Sequence, residues 1–417
     1  MVKRLAQVRA PVAGRPWFYV DLTQGSQPAA VTSRTLTPPL YLGFVALTAG
    51  LAVAQFYFLP RNLGPAQFAL AALGLSVLQG AQQFGDMGAH NASLRATLSA
   101  DDRTRLRESA LLLSTAVCGG GVLLGLVLGL TGMPFGYLAA AACVTAWLLF
   151  PSKINSSATV QMGDERSATR YNLVWQNAPK LGSVMGSFGG TALWTIVGSL
   201  ANAVLFYRPA FPRHATVHAL RAQARWILPG LALSVSAFLM MWIDTYALSA
   251  VSGLSDAGQY QAVVRPLTGI TYLYLPVIAL IQAAHNGGRV HRERRLMVVG
   301  AVLGSGGSVA VGLGLVFLGS TVWPEYTFDV QVVVPCGLAA ALACVSAVVG
   351  GQLTLRGRQG WSALNTVFGA TALLVLSLLL IPGLGAVGAG LASALAWAVV
   401  VVCHSVVLLW TRRSPTS

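Results

Sequence analysis

Residues 361–410 read WSALNTVFGATALLVLSLLLIPGLGAVGAGLASALAWAVVVVCHSVVLLW, without one Asp, Glu, Lys or Arg. At 1.5 Å rise per residue, a single helix of this length would run about 75 Å. The hydrocarbon core of a bilayer is only about 30 Å thick. The turn signal 382-PGLG-385 resolves the conflict by dividing the stretch into two crossings, 361–381 and 384–410.

Ten more apolar segments precede this pair: 39–59, 66–85, 108–130, 132–150, 171–187, 189–207, 226–251, 260–284, 296–319 and 330–353. The chain is 55% hydrophobic and only 9% charged. A soluble domain carries about a quarter charged residues. The pattern predicts an all-α, polytopic integral membrane protein with 12 transmembrane helices. The 45 glycines suit close helix packing in lipid. Cys118, Cys143, Cys336, Cys344 and Cys403 all fall within apolar segments without metal-type spacing, so they read as packing residues.

The charges give the orientation. With both termini placed inside, 24 of the 27 Lys and Arg fall on inner segments. Of the other three, Arg61 lies outside, and Lys180 and Arg265 lie within spans. This is the positive-inside asymmetry. It accounts for the net charge of +15 through topology and contact with anionic lipid, so nucleic acid is not an expected partner. The predicted domains are a basic cytoplasmic arm at 1–38, a first six-helix bundle at 39–207, a cytoplasmic linker at 208–225, a second bundle at 226–410 and a cytoplasmic tail at 411–417. The arm lacks the apolar core of a signal peptide, and 17-WFY-19 within it reads as a short amphipathic piece. The outer loops are too short to carry a catalytic domain, and no catalytic triad, metal cluster or phosphate-cradling glycine loop is visible. The expectation is a protein that is not an enzyme and holds no metal or cofactor.

The two bundles read as parallel repeats. The stretch 63-LGPAQFALA-71 parallels 254-LSDAGQYQA-262, with Phe68 and Tyr260 offset by 192 residues. At that offset the basic stretches before spans three and nine coincide. Six plus six helices in the same sense predict two halves related by a pseudo-two-fold axis along the membrane normal, with a substrate path between them.

Polar residues recur at helical spacing along several spans. In 171-YNLVWQNAPKLGSVMGSF-188, Asn172, Gln176, Lys180, Ser183 and Ser187 form one stripe. Ser76, Gln79, Gln83, Asp86 and His90 form another, and Thr48, Gln55 and Asn62 recur every seven residues. The eighth segment carries Gln261, Arg265, Thr268 and Tyr272. A charge at the bilayer centre costs roughly 2.5–3.5 kcal/mol on insertion scales, so Lys180 is expected to face a water-filled cavity. Asp244 and Arg265 fall at similar depth on consecutive spans. They read either as an ion pair fixing that hairpin or as a phosphate contact with its release partner or proton site. Arg61 reads as a headgroup anchor or a substrate contact. Asp86 and His90 read as helix-end, gate or coupling residues. A cavity bearing Lys180, Arg265 and Arg61 against Asp244 suits an anionic substrate.

The stretch 58-FLPRNLGPAQFALAALGLSVLQGAQQFGDMGAHNASLRATL-98 resembles the first-to-second-helix signature of polysaccharide flippases, the O-antigen or Wzx-type exporters. Arg61, Leu63, Gly64, Pro65, Phe68, Asp86, Gly88 and Arg95 match it, and Ala69 replaces a glycine. The stretch 242-WIDTYALSAVSGLSDAGQYQAVVRPL-267 resembles a second signature, through Asp244, Gly258, Tyr260 and Arg265. The segments 322-VWPEY-326 and 382-PGLGAVGAGLASALA-396 also fit. The family belongs to the multidrug/oligosaccharidyl-lipid/polysaccharide exporter superfamily. The resemblance implies flipping of a polyprenyl-diphosphate-linked oligosaccharide across a bacterial plasma membrane by alternating access, energised by a proton or sodium gradient. It also implies glycan polymerase and glycosyltransferase partners. Cavity contacts from Arg61, Gln55, Gln79, Asn172, Gln176, Lys180 and Arg265 would hold the substrate. Two other readings stay open: a multidrug or metabolite antiporter of the same superfamily, and a membrane scaffold for glycan assembly.

Overall fold

A computed structural model describes residues 38–85, 100–161, 165–207, 217–286, 290–355 and 358–413, and these are all-helical. The helices are α1 (Pro38–Phe84), α2 (Ala100–Leu130), α3 (Pro134–Gln161), α4 (Glu165–Ser187), α5 (Ala192–Phe206), α6 (Val217–Val251), α7 (Leu254–Asn286), α8 (Val290–Val322), α9 (Val330–Leu355) and α10 (Gln359–Arg413). Seven of them, α1, α2, α3, α6, α8, α9 and α10, are long and apolar enough to cross a membrane. Large apolar side chains such as Leu124, Phe317 and Leu379 are exposed on the outside of the bundle, as contact with lipid requires.

Helices α1 and α10 each contain a bend: at Gly64 (φ 64°), between two predicted apolar segments, and at Gly385 (φ 54°), at the start of the predicted segment 384–410. Gly64 sits between Pro60 and Pro65, which both lack the N–H that helix continuation needs. The left-handed backbone there suits a residue without a Cβ. The helix–helix turns at Gly132, Gly190 and Gly253 also use positive φ.

Most helices run past the predicted apolar boundaries. Helix α3 extends from the predicted limit at 150 to Gln161, and α4 begins at Glu165 where 171 was expected. Hydropathy marks only the part of a helix that lies in hydrocarbon, and the helix itself continues into the polar layer. Lys153, expected on an inner segment outside the spans, therefore lies on α3 and is buried.

Helices α1–α5 pack chiefly among themselves, as do α6–α10. The two groups meet where α1 packs on α7 and α6, with a smaller contact of α2 on α6. The α4–α5 pair is held by small residues. A methyl on Gly182 would strike the Gly198 backbone, and one on Gly186 the Trp194 carbonyl. Ser199 Oγ donates to the Pro179 carbonyl at 3.0 Å across this contact. The arm before Pro38, residues 208–216 of the linker, 414–417 of the tail, Asp86 and His90 lie outside the described residues.

Candidate functional site

A cavity of about 450 Å³ lies between the two groups of helices. Its lining brings together Gln55, Gln79, Gln176, Lys180 and Arg265 from the sequence-derived set. Gln83 and Thr268 of the same polar stripes join them, and the lining adds Gln82, Lys153, Trp175 and Trp242. Among the described residues, three of the lining side chains are basic, five are glutamines, and none is acidic. The volume lies within the range of small-molecule sites.

Much of the expected polar lining instead joins α1 to α4. Gln55 Nε2 donates to Ser183 Oγ at 2.9 Å, and Asn62 Nδ2 to Ser187 Oγ at 3.0 Å. Asn177 Nδ2 donates to Thr48 Oγ1 at 3.0 Å. The every-seventh polar residue of α1 thus meets a polar partner on α4, satisfying groups that lipid would leave bare. Gln176 and Lys180 of the same helix point into the cavity, and Lys180 is only 8% exposed. The side chain of Asn172 lies outside the described residues.

Lys153 is the residue that sequence reading missed. Its ammonium donates to the Gln82 carbonyl at 2.6 Å and lies over the Phe150 and Trp175 rings at 5.5 and 5.9 Å. Its distance from the apolar core of its segment masked it.

On the opposite wall, the Arg265 guanidinium lies 3.7 Å from the centroid of the Trp242 ring. Trp242 Nε1 donates to Gln79 Oε1 at 3.1 Å, which ties this wall to α1. Asp244 does not line the cavity, and it does not form the direct ion pair with Arg265 that the sequence allowed. Its Oδ2 accepts from Tyr260 at 2.6 Å and Ser393 at 2.7 Å, and its Oδ1 accepts the Thr245 backbone N–H at 2.6 Å. Depth alone put the two charges level, but helix rotation points the carboxylate into the α6–α7–α10 packing.

Arg61 is likewise absent from the lining. It is exposed at the Gly64 bend, hydrogen-bonded to the Tyr57 hydroxyl, with its guanidinium 5.4 Å from that ring. The bend carries it to the end of the molecule where the two groups of helices are shut together. There Trp323 Nε1 donates to the Tyr57 carbonyl at 3.1 Å, and the Tyr326 hydroxyl to the Pro60 carbonyl at 3.2 Å. Tyr326 also meets Phe68 edge-on. Among the described residues no group of three or more His, Cys, Asp or Glu is placed to hold a metal ion.

No protein-family model matches the chain, and no curated protein matches its sequence. Solved structures do match. DinF-BH, a MATE multidrug transporter, superposes with a TM-score of 0.61 at 17% identity, over 91% of this chain and 98% of that one. The lipid II flippase MurJ in an inward closed conformation gives 0.57 at 12% identity, over 90% of this chain and 87% of that one. An inward-facing MATE family transporter of the MOP superfamily gives 0.57 at 13% identity, over 89% and 96%. This chain therefore has the fold of the MATE transporters and of the lipid II flippase MurJ.

Proposed function

We propose that the protein is a flippase that carries a polyprenyl-diphosphate-linked oligosaccharide across the bacterial plasma membrane for surface polysaccharide synthesis. The observation that carries this reading is the charge of the cavity: Lys153, Lys180 and Arg265, with no acidic lining residue among those described. A site for cationic drugs needs the opposite sign. Diphosphate suits a cluster of ammonium and guanidinium groups, because charge-assisted hydrogen bonds are the strong ones. The glutamines offer donors and acceptors to sugar hydroxyls, and Trp175 and Trp242 offer flat apolar faces. The fold is shared with the lipid II flippase and with multidrug transporters alike, so the cavity charge, and not the fold, separates the two readings.

In this reading the chain crosses the membrane twelve times, with both termini in the cytoplasm, as two six-helix bundles at 39–207 and 226–410. The shut end near Arg61 faces outward, and the cavity takes its substrate from the cytoplasmic side. The lipid tail stays in the bilayer while the headgroup crosses, energised by a proton or sodium gradient. Glycosyltransferases supply the substrate and a glycan polymerase consumes it.

The test is transport of a fluorescent polyprenyl-diphosphate glycan in proteoliposomes. Lys180→Ala and Arg265→Ala are each expected to abolish transport at unchanged protein level. Unchanged transport in both variants would refute the charged-cavity reading. Absence of transport by the unsubstituted protein would refute the flippase reading and leave the antiporter and the scaffold.

A further inference from the structure

Arg265 and Asp244 are joined by a bridge of two buried side chains. Arg265 Nε donates to Gln261 Oε1 at 2.6 Å. Gln261 Nε2 donates to Thr245 Oγ1. The Thr245 hydroxyl donates to Asp244 Oδ1 at 3.2 Å. Gln261 and Thr245 are 1% and 0% exposed, so the bridge lies inside the protein beyond the cavity wall.

The bridge has a direction. Arg265 only donates, so the Gln261 carbonyl must face it and the Gln261 amide N–H must face Thr245. The Thr245 oxygen accepts there, and its hydroxyl proton goes to Asp244 Oδ1. The orientation is thus set from the Arg265 end, and the Asp244 carboxyl sets the strength of the last link, which is greatest when it is ionised.

We propose that Gln261 and Thr245 transmit the charge state of Asp244 to Arg265, so that Asp244 governs how Arg265 is presented to an anion without touching it. The proposal rests on the reading above that the cavity takes a diphosphate. With the charge present, Arg265 is anchored through Gln261 and held on Trp242. Loss of that charge, by substitution or through a bound cation, weakens the Thr245 link, since a hydrogen bond to an ionised group is roughly twice as strong as a neutral one. Arg265 then turns more readily to the anion. Asp244, Thr245 and Gln261 are positioning residues in this scheme, and Arg265 makes the contact.

Binding of inorganic pyrophosphate to the purified full chain in nanodiscs, read by calorimetry, tests this. Asp244→Asn is expected to tighten binding by about fivefold, in the usual range of coupling between sites. In a Gln261→Met background, which keeps the volume and removes the bridge, the same change should fall within about twofold, the level of independent sites. Thr245→Val should uncouple in the same way, and Thr245→Ser, which keeps the hydroxyl, should restore the fivefold effect. A fivefold effect that persists in both Gln261→Met and Thr245→Val means that Asp244 acts through space, and overturns the bridge while leaving the diphosphate reading intact. No pyrophosphate binding by the unsubstituted protein, or equal binding by Arg265→Gln, removes both.

Discussion

Gly258→Ala should loosen the shut end of the molecule. Gly258 lies on α7 directly against the Pro65 carbonyl of α1, and a methyl there would overlap that carbonyl. Both atoms belong to backbone, so no rotamer change relieves the clash, and the two helices must part. Overpacking of this kind costs about 1–3 kcal/mol. The cost falls on the state in which α1 and α7 touch, and a state in which they separate escapes it. At tenfold per 1.4 kcal/mol, the open-end population should rise about 5- to 150-fold. Leu63, buried beside the Gly64 bend, can report it. A Leu63→Cys, Cys403→Ser protein would be labelled with a soluble maleimide and followed site by site by mass spectrometry. The remaining cysteines, Cys118, Cys143, Cys336 and Cys344, are buried and serve as folding controls. Opening that is fast relative to labelling makes the rate follow the open population. Faster labelling at position 63 with the four controls still slow is the expected result. Equal rates with and without Gly258→Ala would refute the idea that this backbone contact holds the end closed.

Two further substitutions probe other links. Lys153→Gln is expected to reduce transport in proteoliposomes by about tenfold, the worth of one charge-assisted hydrogen bond, while Lys153→Arg keeps at least half the activity; equal activity of both variants would remove Lys153 from the substrate path. Gly182→Ala, whose methyl meets the Gly198 backbone, should destabilise the protein by about 1–3 kcal/mol and lower its melting temperature, whereas Gly337→Ala, with open space around it, should not.

The sequence told more about helices than about the way they face. Apolar runs and turn residues located the helices, because hydrocarbon demands both the length and internal hydrogen bonding. The bend at Gly64 was legible from Pro60, Pro65 and the basic residue beside them. Helical spacing also made Lys180 and Gln176 neighbours on one face. It did not reveal how Ser183, Ser187 and Asn177 would be used. A polar stripe on a membrane helix has two outlets, water or another polar helix, and sequence periodicity is the same for both. Only the meeting of α1 with α4 shows that Thr48, Gln55 and Asn62 take up three of these groups. Lys153 was obscured for a related reason. A basic residue past the apolar limit looks like a loop anchor, yet the helix continues, and its side chain turns back over aromatic rings into the cavity.

The division of charge between the two halves bears on how a carrier of this shape would move. Lys153 and Lys180 stand on α3 and α4, and Arg265 stands on α7, so the cavity sets basic groups of one helix group across from a basic group of the other. Like charges across a cleft repel, which favours the parted arrangement while the cavity holds no anion. An anion between them reverses the sign of that term and draws the halves together on the cavity side. The two walls are also built for different tasks. The lysines are point charges on flexible stems, suited to meeting an anion in several poses. Arg265 lies on Trp242 and donates to Gln261, so its fork is restrained by the wall and its orientation is under the wall's control. Exchanging the two chemistries, with Arg at 180 and Lys at 265, would keep the net charge and lose that control. Transport by that double variant should therefore fall well below that of Lys180→Arg alone. Equal transport by the two would mean that charge, and not its orientation, is all the cavity requires.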